Sequence, residues 1–146
     1  MTTETKHTIA WCAGLFEGEG WICAKITVPP DRPNRRFQAV IGITNTDVLL
    51  LAPFAERWGG RIRPRKGTAL SRKPLFEWRI ESFKADRFLR EILPYLRGLK
   101  KAKVIATILL REQITQERLR DTGKFLVWSK EEISCREKLV AQLKSA

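Results

Sequence analysis

The chain has 146 residues, the size of one ordinary domain, and 43% of it is hydrophobic with five tryptophans and seven phenylalanines, enough to bury a real core. Lysine plus arginine total 28 against 16 aspartate plus glutamate, giving a net charge of +12, and this excess points to a polyanionic partner, meaning nucleic acid or an anionic membrane surface. No apolar stretch approaches the roughly 20 residues needed to cross a bilayer, and Met1 to Thr8 is polar with no signal-peptide core, so the expected partner is nucleic acid, with no membrane and no small-molecule substrate.

A first helix is expected from about Thr8 to Phe16, apolar nearly all round, as in a helix buried on most sides. His7, the sole histidine, falls before it, and a single histidine makes His-based acid–base chemistry a weak expectation. Ala10, Gly14 and Gly18 recur every four residues as a stripe of small side chains, which lets another helix approach closely. Without such a contact, glycine at position 14 only weakens the helix. The run ends in A-G-L-F-E-G-E-G, Ala13 to Gly20, with Glu17 and Glu19 in the last turn between glycines that stop it. The C-terminal end of a helix carries partial negative charge from its free carbonyls, so acids there are unfavourable and something positive should offset them. The natural candidate is a divalent cation held by carboxylate and backbone oxygen.

Trp21 to Val28 then alternates, Ile22, Ala24, Ile26 and Val28 on one face and Trp21, Cys23, Lys25 and Thr27 on the other, the pattern of a half-buried strand. Pro29 to Asn34 is a loop rich in breakers, and Phe37 to Thr44 is expected to be the hairpin partner. Asn45-Thr46-Asp47 offers an N-cap for a helix over Val48 to Trp58, ended by Gly59-Gly60. In Arg61-Ile62-Arg63-Pro64-Arg65 the arginines sit at period two and project from one face of a strand. Like charges side by side repel; a phosphate backbone would reward them, although a solvated edge strand, where proline is tolerated, also accommodates them. Leu75 to Glu81 is a fourth strand with Phe76, Trp78 and Ile80 inward and Glu77, Arg79 and Glu81 outward.

Further helices are expected over about Lys84 to Ile92, closing before Pro94, and over Lys100 to Gln113, with Val104, Ile105, Ile108 and Leu109 on the apolar side. A last helix begins at Ser129, where Glu132 completes a capping box, with Ile133, Leu139, Val140 and Leu143 as its buried stripe. Trp11, Trp58, Trp78 and Trp128 occupy apolar-periodic positions and are expected in the core, whereas Trp21 is on the polar strand face. Cys12, Cys23 and Cys135 are odd in number, widely spaced and form no C-x-x-C, which argues against a zinc site and for an intracellular reducing compartment.

The segment W-C-A-G-L-F-E-G-E-G, Trp11 to Gly20, resembles the signature of the LAGLIDADG homing endonucleases. The order α-β-β-α-β-β-α is also that family's core order, so the resemblance covers most of the chain. It implies an α+β fold, a single domain over 1–146 in which an antiparallel sheet forms a saddle for the DNA major groove, with extra C-terminal helices. One motif implies a homodimer, with Ala10, Ala13, Gly14, Glu17 and Gly18 where the two motif helices meet. Two-fold symmetry in turn implies a long, roughly palindromic target. The implied activity is site-specific cleavage of double-stranded DNA with Mg²⁺, or Mn²⁺ or Ca²⁺ in the same site, held by Glu19 and the carbonyl of Gly18.

The resemblance also implies a basic residue after a P-[YF]-L segment, here Pro94-Tyr95-Leu96. Lys100 matches best; the spacing is one residue longer than the family's pattern, so Lys101 and Lys103 stay open. Lysines at a helix start oppose the helix dipole, which independently suggests a bound anion there. Asn45 matches the polar residue that orders water beside the scissile phosphate, or is the helix N-cap, with Asp47 as the neighbour for the other role. Lys25, Thr27, Arg36, Gln38, Thr44, Arg61, Arg63, Arg65, Glu77 and Arg79 would face DNA, a mixture suited to phosphates and base edges, with Arg32 and Arg35 reaching the flanks. A non-catalytic nucleic-acid binder on the same scaffold, an intron RNA maturase or a DNA-binding regulator, is the alternative; it would keep the basic face without needing Glu19.

Overall fold

The computed structural model describes residues 2–27, 36–66, 73–120 and 138. The elements run α1 (Thr3–Glu19), β1 (Gly20–Thr27), β2 (Arg36–Asn45), α2 (Val48–Trp58), β3 (Arg61–Arg65), β4 (Leu75–Glu81), α3 (Ser82–Ile92), a 3-10 turn (Leu93–Tyr95) and α4 (Lys100–Arg120). The strands form one antiparallel sheet in the order β1-β2-β4-β3, and the helices gather on one of its faces. This is the expected α+β arrangement. The expected helix from Ser129, Trp128, Cys135 and the loop arginines Arg32 and Arg35 lie outside the described residues.

α1 is longer than its apolar run. It starts at Thr3, where the Thr2 hydroxyl accepts from the backbone N–H of Thr5, so His7 lies inside the helix. The polar first turns carry no apolar periodicity, and a cap is their only signal. At the other end Gly18 does not stop the helix. Glu19 is its last residue, and the chain turns extended at Gly20 to enter β1. α2 and β4 have their expected bounds, with Asp47 capping α2 and Gly59 and Gly60, at φ 75° and 88°, ending it in a backbone region open to glycine. α3 follows β4 directly at Ser82, two residues before the expected start.

Register decides which side chains are buried. Ile22 pairs with Ile41, Ile41 with Ile80, Ile43 with Trp78, and Trp78 with Ile62, so these side chains share the helix-covered face. Against them stands an aromatic cluster from α1, α2, α3 and β4. Phe88 is its hub, with ring centroids 4.7 Å from Trp58, 5.1 Å from Phe16, 5.3 Å from Trp78 and 6.1 Å from Phe54. Cys12 is buried here too, and burial pushes its thiol up to about 11, so it acts as a small apolar residue.

Three expectations about packing fail. Trp11 is 45% exposed on α1 instead of in the core. On α4 the buried stripe is Val104, Thr107, Ile108, Leu110 and Ile114, whereas Ile105 and Leu109 face outward. The stripe is rotated because Thr107 turns its hydroxyl back to the Lys103 carbonyl at 2.8 Å, which hides its polarity from the core. Third, α4 continues past Gln113 to Arg120, through residues that favour helix without supplying an apolar period.

Phe88→Ala removes a ring that takes part in four aromatic contacts and should lower unfolding free energy by about 3–5 kcal/mol. Urea denaturation measures it; a loss under about 1 kcal/mol would mean that the cluster is not the organising core.

Candidate active site and sheet face

The end of α1 meets three other parts of the chain. Glu19, the last helical residue, is exposed, and its Oε2 accepts from Asn45 Nδ2 at 2.5 Å. Asn45 is the last residue of β2, and its Oδ1 accepts from the Asp47 backbone N–H at 2.8 Å, while Asp47 Oδ1 accepts from Leu49 N–H at 2.9 Å. The N-cap of α2 is therefore Asp47, and Asn45 is free to address Glu19. One turn back, Glu17 Oε1 accepts from the backbone N–H groups of Arg97 and, at 2.9 Å, Gly98. Those two donors hold the Glu17 carboxyl below the usual carboxylate range.

Lys100, the first residue of α4, turns back to this helix end. Its Nζ donates to the carbonyls of Phe16 (2.9 Å), Glu17 (2.9 Å) and Gly20 (2.5 Å) and lies 5.4 Å from the centroid of the Phe16 ring. Burial, with Lys103 nearby, lowers the Lys100 pKa, opposed in part by Glu17. An ammonium of the same chain thus stands at the negative end of α1, and the lysine that opens α4 against its own dipole is bound to that helix end. Lys101 is exposed and Lys103 is half-buried.

The expected contact residues of α1 separate. Ala10 is half-buried, and a Cβ added at Gly14 or Gly18 would meet nothing within 4 Å, so this stripe is open. Ala13, by contrast, is 0% exposed within the chain's own core. Glu17 binds the 97–98 backbone of its own chain. One position of helical phase, 100°, separates the buried Ala13 from the open Gly14.

On the sheet's other face the rows run Trp21–Gly42–Arg79–Arg61, Cys23–Val40–Glu81, Thr44–Glu77–Arg63 and Lys25–Gln38. Thr27 and Arg36 are paired in backbone register, and their side chains lie outside the described residues. Register thus brings together the face residues read from the sequence. Arg65 donates to Glu77 at 2.7 Å and Gln38 to Glu81 at 3.1 Å. Among the described residues Arg61, Arg63 and Arg79 have no acidic partner, though Arg61 and Arg79 stand directly opposite each other. They line an open groove of about 760 Å³ with Lys84 and Phe83. Trp21 lies across Gly42, where an added Cβ would come within 2.5 Å of the indole and 2.6 Å of the Trp78 carbonyl. A lone glycine between isoleucines in a strand was the available sign of such a close approach.

The donor set fits an oxygen-liking divalent cation. Glu19 gives one exposed carboxylate beside the last carbonyls of α1, which have no intrahelical donors, and Mg²⁺ accepts one or two carboxylates with water and phosphate oxygens for the rest. Among the described residues no three His, Cys, Asp or Glu side chains cluster, so a closed all-protein cage is not built here.

No protein-family model matches the sequence, and no curated protein is similar to it in sequence. Solved structures are similar in fold. The homing endonuclease I-CvuI, in complex with its target in the presence of calcium, superposes with a TM-score of 0.66 at 19% identity over 94% of this chain and 98% of its own. The archaeal intron-encoded homing endonuclease I-Vdi141I, complexed with DNA, gives 0.70 at 19% identity over 96% and 84%. This chain has the LAGLIDADG homing endonuclease fold. A further structure with it, I-LtrWI bound to target DNA, gives 0.62 at 20% identity over 90% of this chain and 42% of its own length.

Lys100→Met leaves the end of α1 without its ammonium and should destabilise the fold by about 1–3 kcal/mol. Thermal denaturation checks it; an unchanged melting temperature would show that solvent satisfies those carbonyls equally well.

Proposed function

We propose that the chain is a homodimeric, site-specific double-strand DNA endonuclease that depends on a divalent cation. The observation that carries this is a single exposed carboxylate, steered by Asn45, at a helix end that also holds the Lys100 ammonium, on a helix with an open glycine stripe and beside a basic sheet face. The similar solved structures are homing endonucleases bound to DNA, with calcium or magnesium present in those of I-CvuI, which supports the same reading here.

In this reading Glu19 and the Gly18 carbonyl hold the cation, Mg²⁺ foremost. When bound there, such a cation activates water and shields the charge that develops on phosphorus. Asn45 fixes the Glu19 carboxylate and leaves its other oxygen outward. Lys100, its three donors taken by carbonyls, acts through its positive charge beside the phosphate. Arg61, Arg63 and Arg79 grip the backbone, and Lys25, Gln38, Thr44 and Glu77 lie nearer base edges. β2 has ten residues; at about 3.3 Å per residue it spans about 30 Å, or about nine base pairs at 3.4 Å each. Two subunits then read a long, roughly palindromic site. The open stripe Ala10, Gly14 and Gly18 supports pairing through α1. So do exposed Trp11, Leu49 and Leu99, which lie on α1 or in segments beside it.

A plasmid library incubated with the protein and Mg²⁺ should show cleavage within one sequence class, abolished by EDTA and by Glu19→Gln. Full activity of Glu19→Gln, or no cleavage by wild type, counts against the assignment. Arg61→Ala with Arg79→Ala should flatten the slope of log K against log salt by about 2; an unchanged slope would remove those arginines from the DNA contact.

A further inference from the structure

We infer that Glu17 is a positioning residue for Lys100, acting through the 97–100 segment without touching DNA or cation. This rests on the reading of the site just given.

Residue 17 meets that segment twice. Its carboxylate accepts from Arg97 and Gly98 N–H, and its own carbonyl accepts from Lys100 Nζ. The bonds run in opposite directions across one seam and close a clasp between two helix termini. The Gly98 carbonyl then accepts from Lys101 N–H at 3.1 Å, the first backbone bond of α4. Glu17 therefore holds the peptide from which α4 starts, two residues before that helix presents its ammonium.

A carboxylate is a poor choice for a helix C-terminus by itself, because it adds negative charge to the negative end of the dipole. Two converging N–H donors give it a specific task. Lys100 has a long stem with many rotamers, and its place depends on α1 and α4 keeping one spacing. Glu17 is the side chain that joins them at that point. Glutamine would offer the same oxygen to both donors, and alanine would offer none.

The test uses the full-length wild type, Glu17→Ala, Glu17→Gln, Lys100→Ala and the Glu17→Ala/Lys100→Ala double variant. Each is assayed for affinity to the target DNA and for single-turnover cleavage at saturating protein. Glu17→Ala should slow cleavage by about tenfold to a hundredfold, as expected when a reacting-site group shifts by about 1 Å, with little change in affinity. Glu17→Gln should restore most of the rate. In the Lys100→Ala background, removing Glu17 should cause no further loss. A wild-type rate in Glu17→Ala, or an equal fractional loss in both backgrounds, overturns the inference while the nuclease assignment stands. Amide hydrogen exchange gives a second readout that needs no activity. Arg97 and Gly98 should be protected in wild type and released in Glu17→Ala, with faster acylation of Lys100. If wild type cuts no DNA, the assignment fails by itself, and unchanged exchange and acylation in Glu17→Ala would still sink the clasp.

Discussion

Beyond Phe16, whose carbonyl accepts from the Gly20 N–H, the last carbonyls of α1 lack helical donors, and the same turn carries Glu17 and Glu19. Left alone, this end would gather dipole and carboxylate charge of one sign. Lys100 answers it with one ammonium on three carbonyls, and the backbone of Arg97 and Gly98 answers Glu17. Among the described residues Glu19 has no cationic partner. It is held by a neutral amide, Asn45, which orients the carboxylate and leaves its charge intact. The dipole and Glu17 thus have donors of their own, and Glu19 is left as the exposed carboxylate of this helix end.

The sheet makes this arrangement specific. A strand slip of one residue would send Ile41, Ile43, Trp78 and Ile80 outward and bring Arg79 and Glu77 into the core. The aromatic cluster around Phe88 forbids that, and so fixes the rows of charge on the far face. The same register places Asn45, at the end of β2, across from the start of β1, where Glu19 hands the chain over. Core packing and site geometry are one constraint, and a polar face with opposed, unpaired arginines is tolerable because the other face determines pairing.

Much of this could be read in the sequence because it is local. The alternation of β4, the Asp47 cap, the Gly59-Gly60 stop and the octet at the end of α1 are each contained in a few residues. The rest depends on contacts far along the chain. Lys100 meets Gly20 across 80 positions, and no spacing rule foretells that a lysine placed against its own dipole serves another helix's end. Ala13 and Gly14 are adjacent small residues, and only the packed core decides which is inside. The Lys103 carbonyl hides the Thr107 hydroxyl, which makes a threonine part of the apolar stripe of α4. The polar first turns of α1 are mostly exposed and so show no apolar period.

One carboxylate per chain sets the logic of the proposed dimer. Close approach along Gly14 and Gly18 would bring two Glu19 side chains toward one axis, and like charges at short range repel. In many such pairs only bound cations relieve the repulsion. Here an ammonium already offsets the negative end of each α1, so the repulsion left between two such subunits would come from the carboxylates. A cation held there would lower it and so favour pairing. In the proposed dimer, phosphate oxygens of bound DNA would complete the coordination of that cation.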